Sequence, residues 1–229
     1  MTLLLARIAQ AHRGRAAPAI RGLMALYKLD ETSGTVAYDS SGNGNHGTYI
    51  GGGVTHGQAS ILPSGSGQGT RFGSQSYMSL PNGILATTGR PFTVFGWGKS
   101  SNAAAAQGQQ IMASSSGGVN FYLYNSKMYG GIAGISNNVI DARTMASNTA
   151  YFWALVVDGS GSAVIYVGTA ASSPTANAFG STDKFTTAVT IGNYSGDDTH
   201  NYFQGPLQNV GVCNVDLSNS EIEAIIAAS

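Results

Sequence analysis

The sequence predicts an all-β domain, and three observations carry that prediction. Glycine supplies 32 of 229 residues, about twice its usual share, charged residues supply only 10%, and there is no collagen-like period. Residues 26–49, LYKLDETSGTVAYDSSGNGNHGTY, read as two bends between strands: an apolar start at Leu26 and Leu29, a turn over 30–34, a short return at Val36 and Tyr38, and a second turn over 39–47. That second turn is almost wholly Asp, Ser, Asn and Gly, which tolerate positive φ or hydrogen-bond their own backbone. Residues 151–157, YFWALVV, are apolar on both faces and mark a central strand covered on both sides. A hydrophobic fraction of 42% supplies a core, and sandwiches of this length commonly form one unit, so residues 23–229 read as a single domain.

Residues 1–22 read as a separate arm. Leu4, Ile8 and Ala11 have helical spacing and Gly14 is a stop, which predicts a short amphipathic helix followed by an extended segment through Pro18. Arg7, Arg13, Arg15 and Arg21 all precede the first acidic residue, Asp30. The arm therefore carries +4 and the remainder 7 − 11 = −4, from totals of 11 basic and 11 acidic residues. Such a basic arm is expected either to dock on its own neighbours or an acidic partner, or to stay solvated.

Further along, residues 60–69 (SILPSGSGQG) predict an exposed loop. The strand over 92–98 places Thr93, Phe95 and Trp97 on one face and Phe92, Val94 and two glycines on the other, with Trp97 in the core. Short strands are expected over 111–113, 119–124 and 128–132, and one ending near Val139, with a hairpin turn at Asn125 and Ser126. Residues 158–161 turn the central strand into another over 163–167. The closing strand is expected over 207–215, and Ser218 with Glu221 forms a capping-box signature whose helix packs Ile222, Ile225 and Ile226 on the sheet.

Four ordered blocks carry a family resemblance: the opening stretch already quoted, residues 71–81, Pro91-Phe92-Thr93 with the strand that follows, and Gln204-Gly205-Pro206-Leu207 through Glu221 and Ile222. Together they resemble a laminin-G-like domain of the concanavalin A-like jelly-roll superfamily over nearly the whole chain. The resemblance implies a two-sheet antiparallel β-sandwich, a jelly roll, with a short C-terminal helix. It departs from the family at residues 166–169, where Tyr-Val-Gly-Thr replaces a Tyr-x-Asn-Gly hairpin end. The fold hosts lectins, adhesion modules, glycosidases and inert spacers, so function rests on the residues of the site.

Several chemistries are set aside. Glycosidases need a facing carboxylate pair; the glutamates Glu31, Glu221 and Glu223 form no Glu-x-Asp-x-Glu row, and Asp197 and Asp198 are adjacent. His12, His46, His56 and His200 are scattered, with neither a nucleophile elbow nor zinc spacing. Cys213 has no partner for a disulfide and reads as a small buried apolar residue. No apolar run approaches the roughly 18 residues of a membrane span, and no ordinary secretory signal is recognisable. Nucleic acid is not an expected partner of an acidic domain.

Two binding chemistries remain. The turn over 39–45 offers oxygen donors for calcium, although position twelve of an EF-hand loop would be Ile50. With the rim ion that the resemblance implies, the expected calcium residues are Asp30, Asp39, Asn43, Asp197 and Asp198, against the alternative that these side chains only cap turns. For glycans, the loop with Tyr194, Asp197, His200, Asn201 and Tyr202 combines aromatic faces with hydroxyl-binding groups, as does the set Tyr122, Tyr124 and Tyr129. The reading favoured is a non-catalytic adhesion component on the surface of a phage-like virion. This setting follows from resemblance of the Gly/Ser/Asn/Ala-rich loops to those of phage accessory proteins. Its arm would contact other virion subunits or further copies of the chain, and its jelly roll would face host glycans. A free carbohydrate-binding module, extracellular by a route without a signal peptide, an enzyme, and a ligand-free scaffold stand as alternatives.

Overall fold

The computed structural model describes residues 19–85, 91–114, 119–132, 139–141, 143–168, 170–171, 189–193 and 201–229. In chain order the strands are β1 (Leu23–Tyr27), β2 (Val36–Ala37), β3 (Gly47–Ile50), β4 (Thr55–Ala59), β5 (Gln68–Arg71), β6 (Tyr77–Ser79), β7 (Phe92–Gly98), β8 (Gln109–Ser114), β9 (Val119–Tyr124), β10 (Lys127–Ile132), β11 (Val139–Asp141), β12 (Tyr151–Val157), β13 (Ala163–Val167), β14 (Ala170–Ala171), β15 (Val189–Ile191) and β16 (Pro206–Cys213). Helix α1 (Asn219–Ala227) follows.

Two antiparallel sheets stack as a sandwich. The first runs β14-β13-β12-β7-β16-β5-β4, and the second β11-β10-β9-β8-β15-β6-β3-β2. β16 is shared along one edge: β5 pairs with Pro206 and Leu207, whereas β1 pairs with residues from Val210 to Cys213. A bulge between Gln208 and Gly211 separates the two pairings, with Asn209 at φ 51°.

The central strand has the two-sided burial its sequence predicts. Trp153, Leu155 and Val157 enter the core between the sheets, with Phe72, Met78, Ile111 and Phe121. Phe152, Ala154 and Val156 face outward into a second apolar layer with Phe95, Trp97, Cys213 and Ile222. Ile20, Leu26, Ile225 and Ile226 pack against that layer. Burying each large apolar side chain contributes roughly 1.5–3 kcal/mol. A β-carbon at Gly96 would lie 2.8 Å from the Trp153 ring, so that glycine makes room for the indole across the strand pair.

Turn chemistry sets the registers. Asn125 and Ser126 have φ of 46° and 63°, the signature of a type I′ turn, and they join β9 to β10. Asp158 Oδ1 accepts the N–H groups of Ser160 and Ser162 and shapes the turn between β12 and β13. Ser218 and Glu221 form both halves of the capping box of α1, and Ile222 is fully buried.

Two expectations need correction. The loop over 60–69 is not wholly exposed: Gln68 and Gly69 belong to β5, and Ile61 is buried in the second apolar layer, its N–H held by the Gln208 amide Oε1 at 2.9 Å. The last strand ends at Cys213, since the Asn214 N–H turns to Gly22 O and Val215 O accepts the Thr93 hydroxyl. Most of the strand expected to end near Val139 lies outside the described residues, and Val139–Asp141 form β11, which pairs with β10. The predicted arm helix lies outside the described residues.

Candidate functional site

Three adjacent strands of the second sheet build an aromatic face. In β9, Phe121 and Leu123 enter the core, so the two-residue period sends Asn120, Tyr122 and Tyr124 to the opposite face. Tyr129 of β10 lies directly across from Tyr122, and Gln110 of β8 lies across from it on the other side. The Tyr122 and Tyr129 rings stack with centroids 5.2 Å apart and planes 9° apart, and Tyr124 meets Tyr129 edge-on at 5.8 Å. Burial, then the neighbouring Tyr129 and Tyr124, raises the Tyr122 phenol above its usual pKa, which keeps it a neutral hydroxyl.

The segment at 201–202 joins this face. The Gln110 N–H donates to Asn201 O at 2.9 Å, and Tyr202 bridges Gln110 in parallel. A β-carbon at Gly108 would sit 3.5 Å from Tyr122 Cδ2, 3.6 Å from Asn201 Oδ1 and 3.9 Å from Gln110 Nε2, so a ring and two amides converge around one small space. The Gln110 Oε1 and Asn120 Oδ1 atoms are buried with no hydrogen-bond partner. Such atoms are uncommon in folded proteins and cost roughly 1–3 kcal/mol each until a donor reaches them. Two residue sets that are far apart in sequence, Tyr122 with Tyr124 and Tyr129, and Asn201 with Tyr202, thus belong to one surface. Tyr194 and His200 lie outside the described residues. Gln110 and Asn120 escaped the sequence reading, although strand alternation from Tyr122 points to Asn120.

The acidic residues of the opening turn serve the chain itself. Asp39 accepts the N–H groups of Leu26, Ser41 and Asn45 and the Ser41 hydroxyl at 2.8–3.0 Å. Burial alone would raise its pKa, and these four hydrogen bonds outweigh that and hold it below the usual carboxylate value. Asn43 Nδ2 donates to Leu23 O and Met24 O, tying the turn to β1. Asp30 is exposed beside the Gly67 turn. Among the described residues, no group of three or more His, Cys, Asp or Glu could hold a metal ion; Asp197 and Asp198 lie outside them. Glu31 accepts the Tyr38 N–H and the Tyr49 hydroxyl, and Glu223 accepts the Asn219 amide. Cys213 is fully buried, and desolvation pushes its thiol up to about 12, which suits packing rather than nucleophilic chemistry.

The end of the arm is seated on the domain. Arg21 Nε donates to Glu221 Oε1 at 2.8 Å, and its Nη2 to Glu221 Oε2 and Asp216 O. Arg7, Arg13 and Arg15 lie outside the described residues.

The profile of the Concanavalin A-like lectin/glucanases superfamily, a laminin G class, matches residues 72–223, and the chain belongs to that family. No curated protein matches it. Among solved structures, it is similar to domain 4 of AbnA, an extracellular GH43 arabinanase from Geobacillus stearothermophilus, in complex with arabinotriose. That match has 17% identity and a TM-score of 0.67, covering 89% of this chain and 98% of that one. The binding domain of botulinum neurotoxin serotype D/C VPI 5993 matches at 10% identity and TM-score 0.66, over 90% of this chain and 52% of that one. Trypanosoma rangeli sialidase in complex with sialic acid matches at 13% identity and TM-score 0.69, over 93% and 34%. This chain therefore spans nearly all of the arabinanase domain, about half of the toxin domain and about a third of the sialidase.

Proposed function

We propose that this chain is a non-catalytic carbohydrate-binding jelly roll that takes a neutral oligosaccharide on the tyrosine face of its second sheet. The observation that carries the reading is the convergence of the Tyr122 ring, the Gln110 amide and Asn201 Oδ1 on one space, with Gln110 Oε1 lacking a hydrogen-bond partner. The C–H face of a sugar ring gains dispersion contact on an aromatic ring, and its hydroxyls find amide groups of Gln110 and Asn201 beside the Tyr122 ring. The whole-domain likeness to an arabinanase domain in complex with arabinotriose supports the class of ligand and makes that trisaccharide the first probe. The commitment of Glu31, Glu221 and Glu223 to hydrogen bonds within the chain supports a role without catalysis. Binding is tested by calorimetric titration of a panel of neutral oligosaccharides into the full chain and into Tyr122→Ala. Measurable affinity that falls at least about tenfold in the variant is expected; equal affinity rejects the site.

The arm supplies the setting. A leader carrying +4 ahead of a domain carrying −4 fits an anchor to a larger assembly such as a phage-like virion, which would present the sugar face outward. Because Ile20 and Arg21 are part of the domain's packing, the deletion that tests the anchor removes residues 1–18 alone. Loss of assembly with retained sugar binding supports it; an unchanged association state rejects it.

A further inference from the structure

Away from the tyrosine face, a cleft of about 290 Å³ opens where β4, β5 and the ends of β7 and β16 meet. Arg71, Lys99, Gln58, Ser101, Asn148 and Gln204 face it. Among the described residues no carboxylate lines it, and Arg71 and Lys99 form no ion pair, whereas Arg21 and Arg143 each have a carboxylate partner. Two cations thus share a concave site without a counter-ion, on a domain whose net charge is negative. The walls are fixed before any ligand arrives. The Lys99 N–H donates to Pro206 O at 3.2 Å, Ser101 N–H and Oγ both donate to Gln204 O at 2.8 Å, and the Asn148 N–H donates to Ser100 O at 2.7 Å. A β-carbon at Gly205 would fall 1.9 Å from Lys99 O, so only glycine lets these two segments lie so close.

We propose that this cleft binds the anionic group of an acidic saccharide, a carboxylate or a sulfate, with Arg71 and Lys99 on the charge and the surrounding amides and hydroxyls on the sugar. An arginine fork matches a planar carboxylate or a sulfate edge, and charge-assisted hydrogen bonds are the stronger kind. The volume lies at the lower end of small-ligand pockets, and the lining mixes neutral hydrogen-bonding groups with the apolar Ala59, Ile61 and Pro206. A nucleic acid backbone would need a run of cations on a basic surface, which this acidic domain does not provide. The cleft shares no lining residue with the tyrosine face, so each is tested by its own variants.

The test is calorimetric titration of the full chain at low salt with trigalacturonic acid, a sulfated disaccharide, neutral arabinotriose and a short DNA oligonucleotide. Binding of at least one acidic saccharide is expected, weakened by added salt and reduced at least about tenfold in Arg71→Gln and in Lys99→Gln. Tyr122→Ala should leave that binding unchanged. Preference for the first probe assigns a carboxylate ligand, and preference for the second a sulfate. Thermal melting checks the variants, and Lys99→Gln, which keeps its backbone contacts, decides the matter should Arg71→Gln lose its fold. Binding of neither acidic probe, wild-type affinity in the double variant, or tighter binding of the oligonucleotide overturns the proposal.

Discussion

Gly211 lies against Phe95 so closely that a β-carbon on the glycine would fall 2.1 Å from the ring's Cζ. The two residues pair across β16 and β7 on the outer side of the first sheet, where α1 and the end of the arm cover the apolar layer. The second core layer therefore depends on a missing methyl group as much as on the aromatic residues that fill it.

Gly211→Ala is accordingly expected to destabilise the fold by roughly 1–3 kcal/mol, the usual cost of overpacking a closed core. Urea denaturation measures it. Adding Phe95→Leu should recover part of the loss, since residues in contact do not act additively.

Gln208 staples the loop after β4 to β16. Its Oε1 accepts the Ile61 N–H at 2.9 Å and its Nε2 donates to Ser66 O at 2.9 Å. Gln208→Ala strands a buried donor and should cost roughly 1–3 kcal/mol. Amide exchange should accelerate over residues 60–67 and stay unchanged in β12.

The Arg21 contact makes stability fall in acid. Hydrogen bonds from Arg21 and then Ser218 hold the Glu221 carboxyl at about 2 against an ordinary 4.5. A depressed carboxylate stabilises the fold fully above the higher value, and that contribution is lost as pH falls toward the lower one. Melting temperature should therefore drop between about pH 4.5 and about pH 2. Glu221→Gln should flatten part of that drop, leaving the share due to Asp39 and Asp158, whose pKa values are also lowered.

Local patterns made much of this fold legible. The unbroken apolar run in residues 151–157, the Asn125-Ser126 turn and the Ser218/Glu221 box each depend on neighbours within a few residues, and each is present in the fold. What the sequence hid depends on distant partners. Gln208 looks like any polar strand residue until Ile61 meets it, and Asn201 lies beside Tyr122 only because the segment after β15 bridges to Gln110. Arg71 and Lys99 sit singly among neutral residues, so no charge run announced their shared cleft. The opening turn reads either as oxygen donors for calcium or as a set of turn caps, and which of the two Asp39 serves depends on the four donors of the chain that reach its oxygens.

The most direct test of the tyrosine face is nuclear magnetic resonance of the isotope-labelled full chain titrated with arabinotriose and related neutral oligosaccharides. Saturable shifts confined to Gly108, Gln110, Asn120, Tyr122 and Asn201 are the predicted result, and they should vanish in Tyr122→Ala. Shifts on the outer side of the first sheet, around Trp97 and α1, or no shift with any sugar of the panel, would contradict it.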